Sequence, residues 1–123
     1  MEFDQLSNRV IGCAIEVHRE LGPGLLESTY ERCLRYELTR AGLLFSVQHP
    51  QPVKYKDVEI DCGYRIDVLV ENRLILELKS VSTVTEIHQA QLLAYMKLAG
   101  IKIGLLINFN SKLLKEGITR FVL

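Results

Sequence analysis

The sequence predicts an α/β fold, a mixed β-sheet flanked by helices in the order α-α-β-meander-α-β-β. Three observations carry this. Apolar residues recur at intervals of three and four up to Gly42 and again over 85–98, but at intervals of two across most of 43–79. A nearly unbroken apolar run, 101–108, follows the last helical stretch. That is the pattern of a strand buried on both faces, reached by a helical crossover and so parallel to its neighbour. The length, 123 residues, suits one domain (1–123) built on one core.

Taken in order, Leu6, Val10, Cys13, Ala14, Val17 and Leu21 line one side of a first helix, with Arg9, Glu16, Arg19 and Glu20 on the other. Gly22-Pro23-Gly24 ends it, because the residue before a proline avoids helical geometry and glycine supplies the terminating turn. A second helix, 26–41, places Tyr30, Cys33, Leu34 and Leu38 on its apolar side and stops at Gly42. Short strands are expected at 44–48, 53–56, 58–62, 64–70 and 74–79, punctuated by Pro50, Pro52, Lys56-Asp57 and Glu71-Asn72, as a largely antiparallel meander. In the third helix, 85–98, the apolar face is Ile87, Ala90, Ala94 and Leu98, with His88, Gln91 and Tyr95 beside it and Gly100 as its stop. A last strand, 118–122, alternates and is placed at a sheet edge.

Composition narrows the function. Fifteen basic residues balance fifteen acidic ones. Nothing global therefore draws the chain to nucleic acid, and phosphate binding needs a local basic patch or a bound cation. Three cysteines without a CxxC fit neither a disulfide framework nor a zinc site; Cys13, Cys33 and Cys62 read as small buried residues in a reducing cytosol. No apolar run approaches the ~20 residues of a membrane span, and the acidic N-terminus lacks a signal core. The expectation is a soluble cytoplasmic protein without membrane association.

The chemistry concentrates in 64–79. Asp67, Glu77 and Lys79 sit in strands that are otherwise apolar, and a buried carboxylate or ammonium costs several kcal/mol unless it is paired or binds a metal. Glu77 and Lys79, two apart on a strand, leave the same face. If the turn is centred on Asn72, facing residues have numbers summing to 144, and Asp67 stands opposite Glu77 with Cβ atoms within ~5 Å. A two-residue turn at Glu71-Asn72 would set Asp67 opposite Leu76 and reverse the faces. A metal site therefore requires an odd-numbered loop; a plain cross-strand network of lysine and carboxylates is the competing reading. Two carboxylates suit a hard cation such as Mg²⁺ that takes a phosphate oxygen as a further ligand, and a neighbouring lysine can orient the attacking water or stabilise charge on phosphorus.

At these residues, Asp67 followed by Glu77-x-Lys79, the chain resembles the PD-(D/E)XK nucleases. Gly24-Leu25-Leu26-Glu27-Ser28-Thr29-Tyr30 is similar to the motif that names the GxxExxY branch of that superfamily. Val17-His18, Leu21-Gly22-Pro23-Gly24, Gln91 with Tyr95, and Leu105-Leu106-Ile107-Asn108-Phe109 extend the likeness from about residue 5 to the end. The resemblance implies a restriction-endonuclease-like fold and a metal-dependent nuclease using Mg²⁺ or Mn²⁺ on nucleic acid, DNA before RNA. Asp67 and Glu77 are then metal ligands and catalytic with Lys79, Glu27 is a further acidic ligand, and Gln91 and Tyr95 position substrate. A homodimer is also compatible. The one departure is Ile66, where the superfamily's name has proline. The alternative is a catalytically silent nucleic-acid-binding or protein-interaction module that keeps the fold.

Simpler roles exist for several residues. Glu27 in a helix's first turn gains ~0.3–1 kcal/mol from the macrodipole alone. A capping box over Ser28–Glu31 would start the helix past it. His18 reads as a hydrogen-bonded core histidine, and His88 as either a site or a surface residue. Tyr30 reads as a core aromatic with its hydroxyl toward the polar site. Arg65, Arg73, Lys97, Lys102 and Arg120 are phosphate contacts or a solvated surface.

Overall fold

A computed structural model describes residues 4–123. Two helices, α1 (Gln5–Leu21) and α2 (Glu27–Arg40), precede five strands: β1 (Phe45–Pro50), β2 (Val53–Tyr55), β3 (Val58–Ile60), β4 (Arg65–Val70) and β5 (Leu74–Lys79). Then come α3 (Glu86–Ala99), β6 (Ile103–Asn108), a 3-10 turn (Leu114–Gly117) and β7 (Ile118–Val122). Among the described residues no helix is long and apolar enough to cross a membrane.

One mixed sheet has the order β1-β4-β5-β6-β7. As the apolar run predicts, β6 lies parallel to β5, while β7 closes the edge antiparallel to β6. The continuous meander is not what forms. β1 pairs directly with β4, and β2–β3 leave the sheet as a separate hairpin. Pro50 and Pro52 have no N–H to extend the ladder, and the last link is Gln51 N–H to Tyr64 O at 2.9 Å. The hairpin register puts Val53, Tyr55, Val58 and Ile60 on one face and Lys54 with Glu59 on the other. Tyr55, Val58 and Ile60 are exposed, so this excursion adds nothing to the core.

The sheet is covered on both sides. Val10, Ala14 and Val17 of α1 and Tyr30, Leu34 and Leu38 of α2 pack with Val68, Val70, Leu74, Leu76, Leu78, Leu105 and Ile107. Leu92, Tyr95 and Met96 of α3 pack on Ile66, Leu69, Ile75 and Leu106. The buried face of α3 is thus not the predicted one: Ile87, Ala90 and Ala94 point to solvent. Gly104 explains the choice. A Cβ there would lie 2.7 Å from Met96 Sδ and 2.9 Å from Leu92 Cδ1, so these two side chains fill the space that glycine leaves. Because α3 is apolar nearly all round, periodicity alone does not select its face.

The ends of the helices are pinned by side chains. Asp4 caps α1 by accepting from Ser7 N–H (3.0 Å) and reaches β7 through Arg120 (2.9 Å). Burial pushes the Asp4 carboxyl up, but the Ser7 side-chain and backbone bonds and Arg120 outweigh it and leave the pKa at about 2. The alternative start of α2 at a capping box over residues 28–31 does not form: the cap is Leu26, without a side-chain bond, and Glu27 is the first helical residue. Cys13 and Cys33 are half-buried as free thiols; Cys62, in the loop after β3, is exposed rather than buried.

Candidate active site

The site forms where β4 and β5 separate. Val70↔Leu74, Leu69↔Ile75 and Val68↔Leu76 give the register whose numbers sum to 144, closed by the three-residue loop Glu71-Asn72-Arg73. The loop suits its residues. Glu71 and Asn72 both take left-handed φ (54° and 53°), and the Glu71 carboxylate accepts Leu44 N–H at 2.6 Å. The predicted odd-numbered turn is the observed one.

The next pair in that register, Asp67 and Glu77, does not continue the ladder. Asp67 Oδ2 accepts the Leu78 N–H at 2.8 Å, and Glu77 Oε1 accepts the Asp67 N–H at 3.4 Å. Two carboxylates thus take strand N–H groups. The expectation of two side chains standing on one face is corrected in this respect: an acceptor for a strand N–H lies close to the sheet plane, so the Asp67 carboxylate is turned toward the β5 backbone. Ile66 belongs to the core under α3 and Val68 to the core under α1 and α2. Side-chain alternation therefore fails at Asp67.

Glu77 is 3% exposed. Burial, joined by the Asp67 charge and a carboxyl–carboxyl hydrogen bond, raises its pKa to about 8, against the opposing pull of the Asp67 N–H and Lys79. Lys79, half-buried two residues on, ends β5 and pairs with Asn108 of β6. From the α3 side, Gln91 Nε2 donates to the Tyr95 hydroxyl at 3.0 Å, and Tyr64 meets the Tyr95 ring edge-on at 6.1 Å. Burial raises the Tyr95 phenol, the Gln91 bond lowers it, and the charges of Glu77 and Asp67 raise it further.

On the opposite side, Glu27, Ser28, Glu31, Gln48, Asp67 and Leu78 line a cleft of about 130 Å³. The start of α2 is tied to this position. Tyr30 O–H donates to Gly22 O (2.6 Å) and accepts Leu25 N–H (3.1 Å), and Ser80 O–H donates to Leu25 O (2.5 Å). The Tyr30 ring stacks on Phe109 at 4.5 Å. Its hydroxyl therefore secures the loop that delivers Glu27, and does not reach into the site as the sequence suggested.

The histidines have structural partners. His18 Nε2 bonds Ser111 O at 2.7 Å, and His88 caps α3 by exchanging bonds with Thr85. Arg65, Arg73, Lys97, Lys102 and Arg120 are not among the cleft-lining residues, and Arg120 pairs with Asp4 instead.

Two contributors escaped the sequence reading of the site. Asn108 is buried and holds the loop after Lys79 by bonds to Val81 N–H (3.1 Å), Val81 O (3.0 Å) and Asn110 N–H (3.2 Å). Its signal was a polar residue closing an apolar run. Gln48 lines the cleft with a left-handed φ of 49°, for which the sequence offers no sign.

Among the described residues no three His, Cys, Asp or Glu side chains converge into a group that could hold a metal. The Asp67–Glu77 pair nonetheless has the chemistry of a hard-cation site. A cation such as Mg²⁺ takes one or two protein carboxylates and completes its shell with water and phosphate oxygens. Burial first and the Asp67 charge second lift Glu77, and a cation held by the pair would offset both.

Compared with known families, residues 4–121 match the model of the PD-(D/E)XK nuclease superfamily, whose nucleases generally use divalent metals. No curated protein and no solved structure gives a significant match. The family match leaves out only residues 1–3 and 122–123, and it agrees with a five-stranded mixed sheet that carries Asp67, Glu77 and Lys79 on adjacent strands: this chain belongs to the PD-(D/E)XK nuclease superfamily.

Proposed function

We propose that this chain is a Mg²⁺- or Mn²⁺-dependent nuclease that hydrolyses phosphodiester bonds in DNA. The observation that carries the reading is the acid pair at the parting of β4 and β5, where Asp67 and a nearly buried Glu77 share hydrogen bonds beside Lys79. Asp67 and Glu77 would hold the cation, with Glu27 on the rim of the cleft that Asp67 lines. A divalent ion bound there supplies Lewis-acid polarisation of the scissile phosphate.

The chain's own groups do the rest. The Lys79 ammonium orients the attacking water and neutralises charge that builds on the phosphoryl oxygens. As the water oxygen bonds to phosphorus it gives up a proton to solvent, while the bond to the departing sugar oxygen breaks and that oxygen takes up a proton from solvent. Gln91 fixes the Tyr95 hydroxyl, and the two hold the substrate backbone against the acid pair. Among the described residues no lysine or arginine lines the cleft, so a polyanion is expected to enter it only with the cation present.

The test is cleavage of single-stranded, duplex and branched DNA with Mg²⁺ or Mn²⁺ by wild type, Lys79→Ala and Asp67→Asn. Wild type should cut, and each variant should lose roughly 10²–10³-fold in rate. A wild type that binds DNA without cutting it would instead favour a silent module. Equal cutting by all three would remove these residues from the mechanism.

A further inference from the structure

Gln48 is an unusual residue for an edge strand. It is exposed, so packing does not dictate its backbone, yet its φ is 49°. A left-handed glutamine inside a strand is disfavoured, and such outliers persist where surrounding structure holds them. Here the hold is visible: Gln48 Nε2 donates to Glu31 Oε1 at 2.9 Å, across to α2.

The consequence falls on Asp67. The pairs Val47↔Val68 and His49↔Ile66 keep one register, and in it Gln48 faces Asp67, but these two form no ladder pair. On the other side of β4 the Asp67–Glu77 pair is missing as well. Asp67 is therefore released from both neighbours at the level where Gln48 is left-handed. At the same level side-chain alternation breaks and the Asp67 carboxylate turns to Leu78 N–H. With the register kept on either side, this is not a bulge with an extra residue but a local kink, in which a left-handed residue facing the ladder break re-aims the side chain opposite it.

We propose that Gln48 is a positioning residue: its left-handed backbone, anchored on Glu31, opens the sheet at Asp67 and sets the orientation of the Asp67 carboxylate in the cleft. This deepens the nuclease reading and rests on it for the purpose of that orientation. The backbone conformation is the working part. The amide bond to Glu31 offsets the strain that a residue other than glycine carries there.

The experiment compares wild type with Gln48→Gly, Gln48→Asn and Gln48→Val. Glycine and asparagine accept a left-handed φ, whereas a β-branched residue resists it. The first readout is amide hydrogen exchange at Leu78, relative to Leu106 in β6 as an internal control. The second is Mn²⁺ affinity by calorimetry. Gln48→Gly and Gln48→Asn should keep Leu78 protection and Mn²⁺ affinity within about twofold of wild type. Gln48→Val should lower Leu78 protection relative to Leu106, and Mn²⁺ affinity, each on the order of tenfold. Intact Leu78 protection in Gln48→Val, or its loss in Gln48→Gly, would overturn the proposal. Should Gln48→Val fail to fold, retention in both Gln48→Gly and Gln48→Asn supports it and loss in either overturns it. A failure of the nuclease reading looks different: wild type would bind no Mn²⁺ or cut no DNA while the Leu78 exchange pattern still follows the variants.

Discussion

Replacing Glu77 with glutamine should make the metal-free protein more stable and less active. In the folded chain the Glu77 carboxyl is raised from 4.5 to about 8, first by burial and then by Asp67. A carboxyl that binds its proton more tightly when folded contributes stability that is fully present below the unfolded pKa and is lost as pH rises through the folded one. The window therefore runs from about pH 4.5 to about pH 8. At 1.36 kcal/mol per pKa unit the full span has a ceiling of roughly 5 kcal/mol, and relaxation around the acid pair brings the expected loss to about 2–3 kcal/mol. For a chain of this size that is a Tm fall of roughly 8–12 °C. Thermal unfolding in EDTA at pH 5, 6, 7 and 8 measures it, and Asp4, which titrates near 2, does not intrude. Wild type should lose Tm across the series and Glu77→Gln should hold nearly level. Mn²⁺ should restore wild type at pH 8 and leave Glu77→Gln unchanged. A flat wild-type profile, or equal slopes in the two proteins, would refute the argument that a strained acid pair occupies the site.

Other substitutions probe the frame that holds the pair. Gly104→Ala pushes a methyl against Met96 Sδ and Leu92 Cδ1; overpacking should cost about 1–3 kcal/mol in urea unfolding and shift α3 with Gln91 and Tyr95. Asp4→Ala removes the α1 cap and should cost about 1–2 kcal/mol at pH 7. Because the Asp4 pKa is lowered from 3.8 to about 2, the difference should persist above pH 4 and vanish as pH falls through 2. Tyr30→Phe keeps the stack on Phe109 but drops the bonds to Gly22 and Leu25. About 1 kcal/mol should be lost per hydrogen bond, seen as faster amide exchange at Leu25.

How far the sequence could be read depended on how strictly its pattern constrained the alternatives. β5 and β7 came out at their observed bounds, because glycine, asparagine and polar residues bracket sharply alternating or wholly apolar runs. The β4–β5 register was not set by the apolar pattern, because both strands are buried on both faces and a one-residue slip only exchanges those faces; what favoured the observed register was the requirement that Asp67 stand opposite Glu77. The sheet order was harder. Pairing β1 with β4 across an intervening hairpin depends on which strands have cores to cover, and local sequence says little about that. The face of α3 is not read from its own periodicity because the space left by Gly104, on the strand that α3 packs against, decides it. At the site, Asp67, Glu77 and Lys79 announced themselves as charges in apolar strands. Gln48 did not, because its importance lies in a backbone angle that no residue type other than glycine advertises.

The central claim, that the acid pair and Lys79 form one metal-dependent cutting site, is tested most directly by single-turnover cleavage of a labelled DNA against Mg²⁺ concentration. Wild type should show saturable dependence on Mg²⁺. Lys79→Ala should keep the same Mg²⁺ midpoint while its maximal rate falls about 10²–10³-fold, and Asp67→Asn should not reach saturation. Cleavage by wild type that ignores Mg²⁺ and survives EDTA, or a Lys79→Ala variant that cuts as fast as wild type, would contradict it.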